Sequence, residues 1–160
     1  MRRHVMLALA VSTASFIAVA AAPLVRADRA TPQPGAPCSG SADSSGAIVG
    51  SQTFSPQGEV LLCAKDADPI SVWQHLDGIQ RPVQIWFSYG PDATLNADDG
   101  FVSGQYWVAG ARSGRCTVVQ TPSTAGPPVV KTSNSERMDF KLIPDLATIT
   151  FKGECDWRSF

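Results

Sequence analysis

From residue 47 onward the chain is cut into short apolar runs of about five to eight residues, each stopped by Gly, Pro, Asn or Asp. The runs are rich in Val, Ile, Phe, Trp and Thr, whose branched or flat side chains fit a pleated surface. A chain punctuated this often has little room for long helices and must bury its apolar faces between layers of strands. Strands are predicted near 47–54, 58–64, 82–89, 101–109, 115–120, 128–132, 136–143 and 146–153. Pro144-Asp145 supplies a tight turn between the last two. The expected fold is therefore mainly β, a single antiparallel β-sandwich or barrel-like domain with two disulfides and at most one short helix. The helical candidate is 68–78, where Asp68-Pro69 offers an N-cap and a first-turn proline, and Gly78 a stop. Ile70, Trp73 and Leu76 recur there every three residues, although Ile70, Val72 and Leu76 would also share one face of a strand. The capping signals favour a helix.

Residues ahead of this region read as an address. Arg2, Arg3 and His4 precede an uncharged, apolar stretch, Val5 to Ala22, in the layout of a secretory signal peptide spanning residues 1–27. Val25-Arg26-Ala27 marks the favoured cleavage site, with Ala20 the alternative. A membrane anchor would need about 20 strongly apolar residues, and this stretch is shorter and diluted by Ser12, Thr13 and Ser15. The paired arginines also fit the outline of a twin-arginine signal, so the route of export stays open. Residues 28–46 form a Pro-, Gly- and Ser-rich lead-in expected to be flexible, and 47–160 the β domain. Cleavage would remove Arg2, Arg3 and Arg26, leaving ten basic against fourteen acidic residues, a net charge of −4. That balance argues against nucleic acid or an anionic membrane surface as the partner.

All four cysteines, Cys38, Cys63, Cys116 and Cys155, follow the leader, and an even count in an exported chain implies two disulfides. Three pairings are possible. In the last run Ile149, Phe151, Gly153 and Cys155 share parity and hence one face, and Cys116 shares a face with Val118. Both cysteines then point inward among apolar neighbours, which favours Cys116–Cys155 and leaves Cys38–Cys63 to pin the lead-in. No two cysteines lie close enough in sequence for the usual zinc spacing.

Chemistry-bearing residues are sparse. His75 is the one histidine after the leader, with Asp66, Asp68 and Asp77 nearby, but no Gly-x-Ser-x-Gly elbow accompanies it. The acidic stretch Asp92 to Gly100 fails EF-hand spacing, because Leu95 and Ala97 fall at ligand positions, and it reads as a surface turn. Asp98 and Asp99 point different ways. Arg112, Arg115 and Arg137 read as solvated. No metal and no cofactor is expected.

Aromatic residues say more. In 83–89 the apolar face is Val83, Ile85, Phe87 and Tyr89, which puts Trp86 on the other face with Gln84 and Ser88. In 101–109, Trp107 lies with Gln105 and Ser103, opposite Tyr106, Val102 and Val108. Trp86 and Trp107 are thus predicted to form an outward aromatic binding patch among amide and hydroxyl groups, while Trp157 is expected to pack over the last disulfide.

The Ala-rich leader ending at Ala27-Asp28, the Pro-rich lead-in, and the Cys38…Cys63 spacing around Gly58-Glu59-Val60-Leu61-Leu62-Cys63 resemble small exported proteins of mycobacteria and related actinobacteria. The resemblance covers mainly residues 1–65 and implies location rather than activity. The expectation is a non-enzymatic, extracellular or envelope-associated domain that binds a protein or glycan partner through an aromatic face. A secreted hydrolase of envelope polymers, working through His75 or an Asp pair, and a secreted protease inhibitor are the alternatives.

Overall fold

A computed structural model describes residues 30–41, 43–67 and 70–160. The leader assigned to 1–27, and Asp68-Pro69, lie outside the described residues. Among the described residues nine strands make up one sheet: β1 (Pro37–Ser39), β2 (Gln52–Phe54), β3 (Val60–Ala67), β4 (Ile70–Leu76), β5 (Ile85–Asn96), β6 (Tyr106–Pro122), β7 (Val129–Ser133), β8 (Arg137–Lys141) and β9 (Leu146–Ser159). A 3-10 turn, Ala97–Asp99, follows β5. The strand order is β1-β4-β3-β2-β5-β9-β6-β7, with β8 pairing the same edge of β6 as β7. All pairings are antiparallel except a single parallel one, Gln52 with Trp86. The mainly β reading holds, and so do both disulfides, Cys38–Cys63 and Cys116–Cys155, with Cα separations of 5.7 and 6.1 Å.

The helix expected at 68–78 is corrected to a strand. Residues 70–76 pair antiparallel with β3, Cys63 opposite Trp73 and Val60 opposite Leu76. Ser71 and Trp73 are buried while Ile70 is exposed. Two-residue periodicity wins because a hairpin partner supplies both hydrogen bonds and a place for Trp73, and local capping signals cannot match that. The lead-in, expected to be flexible, contains β1, whose Pro37 and Ser39 pair with β4.

Long strands β5, β6 and β9 carry the architecture through a shared crease. Between Gly90 and Ala93, β5 spends three residues where β9 spends two, from Gly153 to Phe151. Between Ala111 and Thr117, β6 spends six where β9 spends three, from Cys155 to Lys152. Each bulge inserts an odd number of residues, so each flips which parity faces inward. The inward set on β5 passes from Trp86 and Ser88 to Ala93 and Leu95, and on β6 from Trp107 and Ala109 to Cys116 and Val118. On β9 no flip occurs, and Ile149, Phe151, Cys155 and Trp157 are all fully buried. Gly153 sits at the crease with φ +94°, and a Cβ there would lie 2.1 Å from the Arg115 carbonyl oxygen. No side chain fits, which is why the chain can fold so tightly at that level.

Folding the sheet about this crease brings its two halves face to face. The main core draws Ala93, Leu95, Cys116, Val118, Ile149 and Phe151 from one half, and Trp86, Trp107, Met138, Phe140, Cys155 and Trp157 from the other. Phe151 meets Trp157 at 4.6 Å and Trp107 at 5.9 Å between ring centroids. Lys131 on β7 reaches across the open side to donate to the Asp139 carbonyl on β8. A second, smaller cluster forms on the outer face of β5: Phe87 is covered by Leu61, Cys63 and Trp73 from β3 and β4, with Cys38 from the lead-in and Ala47 just after it.

Candidate functional site

Trp86 and Trp107, predicted to form an outward patch, are both 0 % exposed; that expectation is corrected. Trp86 points into the main core, edge-on to Phe54 at 5.0 Å. Trp107 packs on Phe101 and Phe151, and its indole N–H donates to Gln105 Oε1 at 3.2 Å. In β5 alternation does set Phe87 and Tyr89 among the smaller cluster, but Val83, expected on their face, lies in the main core with Trp86. What failed was the assumption that the opposite face is wet, because this strand lies between two clusters and is buried on both sides. In β6 the faces are reversed: Tyr106 is outside and Trp107 inside, while Val102, in the loop before the strand, is exposed.

The other indoles are also interior. Trp157 donates to Ser88 Oγ at 2.8 Å, and Ser88 Oγ in turn donates to the Gly153 carbonyl at 2.6 Å. Trp73 donates to Ser45 Oγ at 3.2 Å. Buried indole N–H groups need such partners. Trp86 Nε1 is the exception, buried with no acceptor among the described residues.

His75 is exposed at the far end of β4, opposite Leu61. Asp66 and Asp77 are exposed too; Asp68 lies outside the described residues. The acidic stretch is a structural cap rather than a plain surface turn. Asp99 is 5 % exposed, its carboxylate accepting from the Asn96 backbone N–H at 2.9 Å and from Arg81 at 3.1 Å. Asp98 points away into solvent. Among the described residues no group of three His, Cys, Asp or Glu side chains is gathered as a metal site would require. Arg112 is not simply solvated, since its guanidinium pairs with the buried Asp156 carboxylate.

Two surface features remain. The first is the outer face of β8, β6 and β9, where the register sets Lys141 beside Tyr106, and Asp139, Val108 and Arg158 in the next row. Phe160 follows β9, donating its N–H to the Tyr106 carbonyl at 3.0 Å. The rings of Tyr106 and Phe160 lie 6.0 Å apart and are 50 % and 69 % exposed. Lys141 Nζ stands 5.3 Å from the Tyr106 ring centroid, a cation–π arrangement. A shallow depression of about 420 Å³ adjoins the pair, lined by Val108, Glu136, Arg137, Arg158 and Phe160 among others. Arg137 grips Asp139 through Nε and Nη2 at 3.1 and 2.7 Å. The hydrogen bond from Arg137 holds the Asp139 carboxyl below its ordinary pKa. Parity could have found Phe160: if Cys155 and Trp157 face inward, residues 158 and 160 face out.

The second feature is a mostly apolar groove of about 350 Å³ where β2 and β5 part after their single paired residue. Phe54, Phe87 and Tyr89 line it, with Asp92 at one side. Partial burial raises the Tyr89 phenol pKa.

No helix among the described residues is long and apolar enough to cross a membrane. No protein-family model matches the chain, and no similar curated protein or solved structure was found.

Proposed function

We propose that this is an exported, non-enzymatic binding domain, acting outside the cytoplasm or on the cell envelope and engaging a protein or glycan partner through an aromatic face. The face is not the tryptophan pair but Tyr106 and Phe160. One observation carries the reading: in a domain that buries all four tryptophans at 0–1 % exposure, this ring pair is left in solvent. Contiguous exposed aromatics cost hydration free energy and mark interaction sites. Two disulfides suit the oxidising setting that export implies. The leader at 1–27 and the resemblance to small exported actinobacterial proteins point the same way.

The test is localisation and retention. The wild-type chain and a Tyr106→Ala, Phe160→Ala double variant are expressed with the native leader, and culture fractions are compared after a salt wash. Envelope retention of the wild type and release of the folded double variant are expected. Equal partitioning of the two proteins overturns the reading. Hydrolysis of envelope polymer by the wild type and its loss in His75→Ala would favour the hydrolase alternative instead.

A further inference from the structure

Resting on that reading, we propose that the partner of the Tyr106–Phe160 face is an acidic protein segment, bound in extended form with one apolar side chain between two carboxylates. The argument starts from charge. Asp139 on this face is already neutralised by Arg137. Lys141 and Arg158 make no ion pair with any described carboxylate, although both lie beside the exposed ring pair. The domain without its leader is net acidic, yet beside the Arg137–Asp139 pair this face presents two unneutralised cations to one further carboxylate, Glu136 at the edge of the depression.

Their spacing matches a peptide strand. Lys141 on β8 and Arg158 on β9 flank β6, with Lys141 one outward row from Arg158. Two strand spacings across and one two-residue step along give a diagonal of about 12 Å. In an extended chain, residues i, i+2 and i+4 share a face, and i to i+4 spans about 13 Å. A segment of pattern Glu-x-Phe-x-Glu therefore sets its carboxylates at Lys141 and Arg158 and its ring against Tyr106 and Phe160. Tyr and Arg are also the residues over-represented in protein interfaces.

Binding is measured by calorimetry and by amide shift mapping on the purified protein. Three probes are used: a synthetic seven-residue peptide with the Glu-x-Phe-x-Glu core, its Gln-x-Phe-x-Gln analogue, and a uronic-acid oligosaccharide. Expected are shifts at Tyr106, Val108, Lys141 and Arg158, weakening with salt, and a loss of about tenfold in affinity in Lys141→Ala with Arg158→Ala. Both side chains are exposed, and circular dichroism checks that the variant is folded. Equal affinity for the Gln analogue, or no effect of the double variant, overturns the acidic-segment proposal. The aromatic-face reading then survives only if Tyr106→Ala with Phe160→Ala still abolishes the shifts. Binding of the oligosaccharide and not of the acidic peptide overturns the proposal in favour of a glycan. No binding of any probe overturns it as well, and envelope retention alone then decides the broader reading.

Discussion

The two apolar clusters of this molecule hold together differently. The main core joins both halves of the long strands β5, β6 and β9 and encloses Trp86, Trp107 and Trp157, so apolar volume and interlocked rings stabilise it. The smaller cluster has six buried residues, two of them the bridged Cys38 and Cys63, around a single tryptophan. So little apolar area cannot hold β1, β3 and β4 in place by itself. The comparison teaches that the same covalent device serves unequal purposes. Cys116–Cys155 ties across a crease that packing already closes, whereas Cys38–Cys63 substitutes for packing that short strands cannot supply.

The largest effect is expected at the crease. Gly153→Val should destabilise the protein by at least about 4 kcal/mol, through the strained backbone and the collision with the Arg115 carbonyl. Gly114→Ala, also at positive φ but with open space at its Cβ, should cost only about 1–2 kcal/mol. Urea unfolding followed by tryptophan fluorescence compares them, and equal losses would show that close approach at Gly153 is not what matters.

Disulfide removal comes next. Chain separations of 39 and 25 residues correspond to roughly 4 and roughly 3.5 kcal/mol of lost unfolded-state constraint. The signatures should differ more than the magnitudes. Cys116→Ala with Cys155→Ala should lower the midpoint for the whole domain. Cys38→Ala with Cys63→Ala should free β3 and β4 amides to exchange while β5, β6 and β9 stay protected. Uniform loss of protection in both variants would dissolve the distinction between the clusters.

Smaller again is the loss of an indole acceptor. Ser88→Ala orphans the Trp157 N–H in the main core, and Ser45→Ala orphans that of Trp73 in the small one, each costing about 1–3 kcal/mol. The first should shift global unfolding, and the second only local exchange near β4. A global shift from Ser45→Ala would mean the small cluster unfolds together with the rest.

The smallest effect belongs to neither cluster. Asp139 is held below its ordinary pKa by the hydrogen bond from Arg137. Its contribution is therefore present above the ordinary carboxylate range and lost as pH falls through the lowered folded value. Arg137→Ala should move the Asp139 carboxyl upward in an NMR titration. Because both groups are exposed, unfolding midpoints should not change measurably, and a clear change would show that this pair couples to the core beneath it.

Strand runs, both disulfides and the inward face of β9 were legible in the chain because they follow from local pattern. Ile149, Phe151, Cys155 and Trp157 keep one parity along a strand with no inward-face flip, so alternation alone predicts their burial. The helix expected at 68–78 misled because capping residues report local preference, while Trp73 answers to a pairing partner in β3. The binding face misled for a deeper reason. Parity says which side chains travel together, and only the packing of layers says which side is wet. Trp86 and Trp107 are inside because the sheet folds on itself at Gly90, Gly153 and the bulge in β6, and those breaks leave no periodic mark to read. By itself, then, the chain of amino acids determined strands and cross-links. The tertiary structure alone decided that the tryptophans belong to the core and that Tyr106, Phe160, Lys141 and Arg158 meet on the surface, because proximity across three strands depends on register and folding of the sheet.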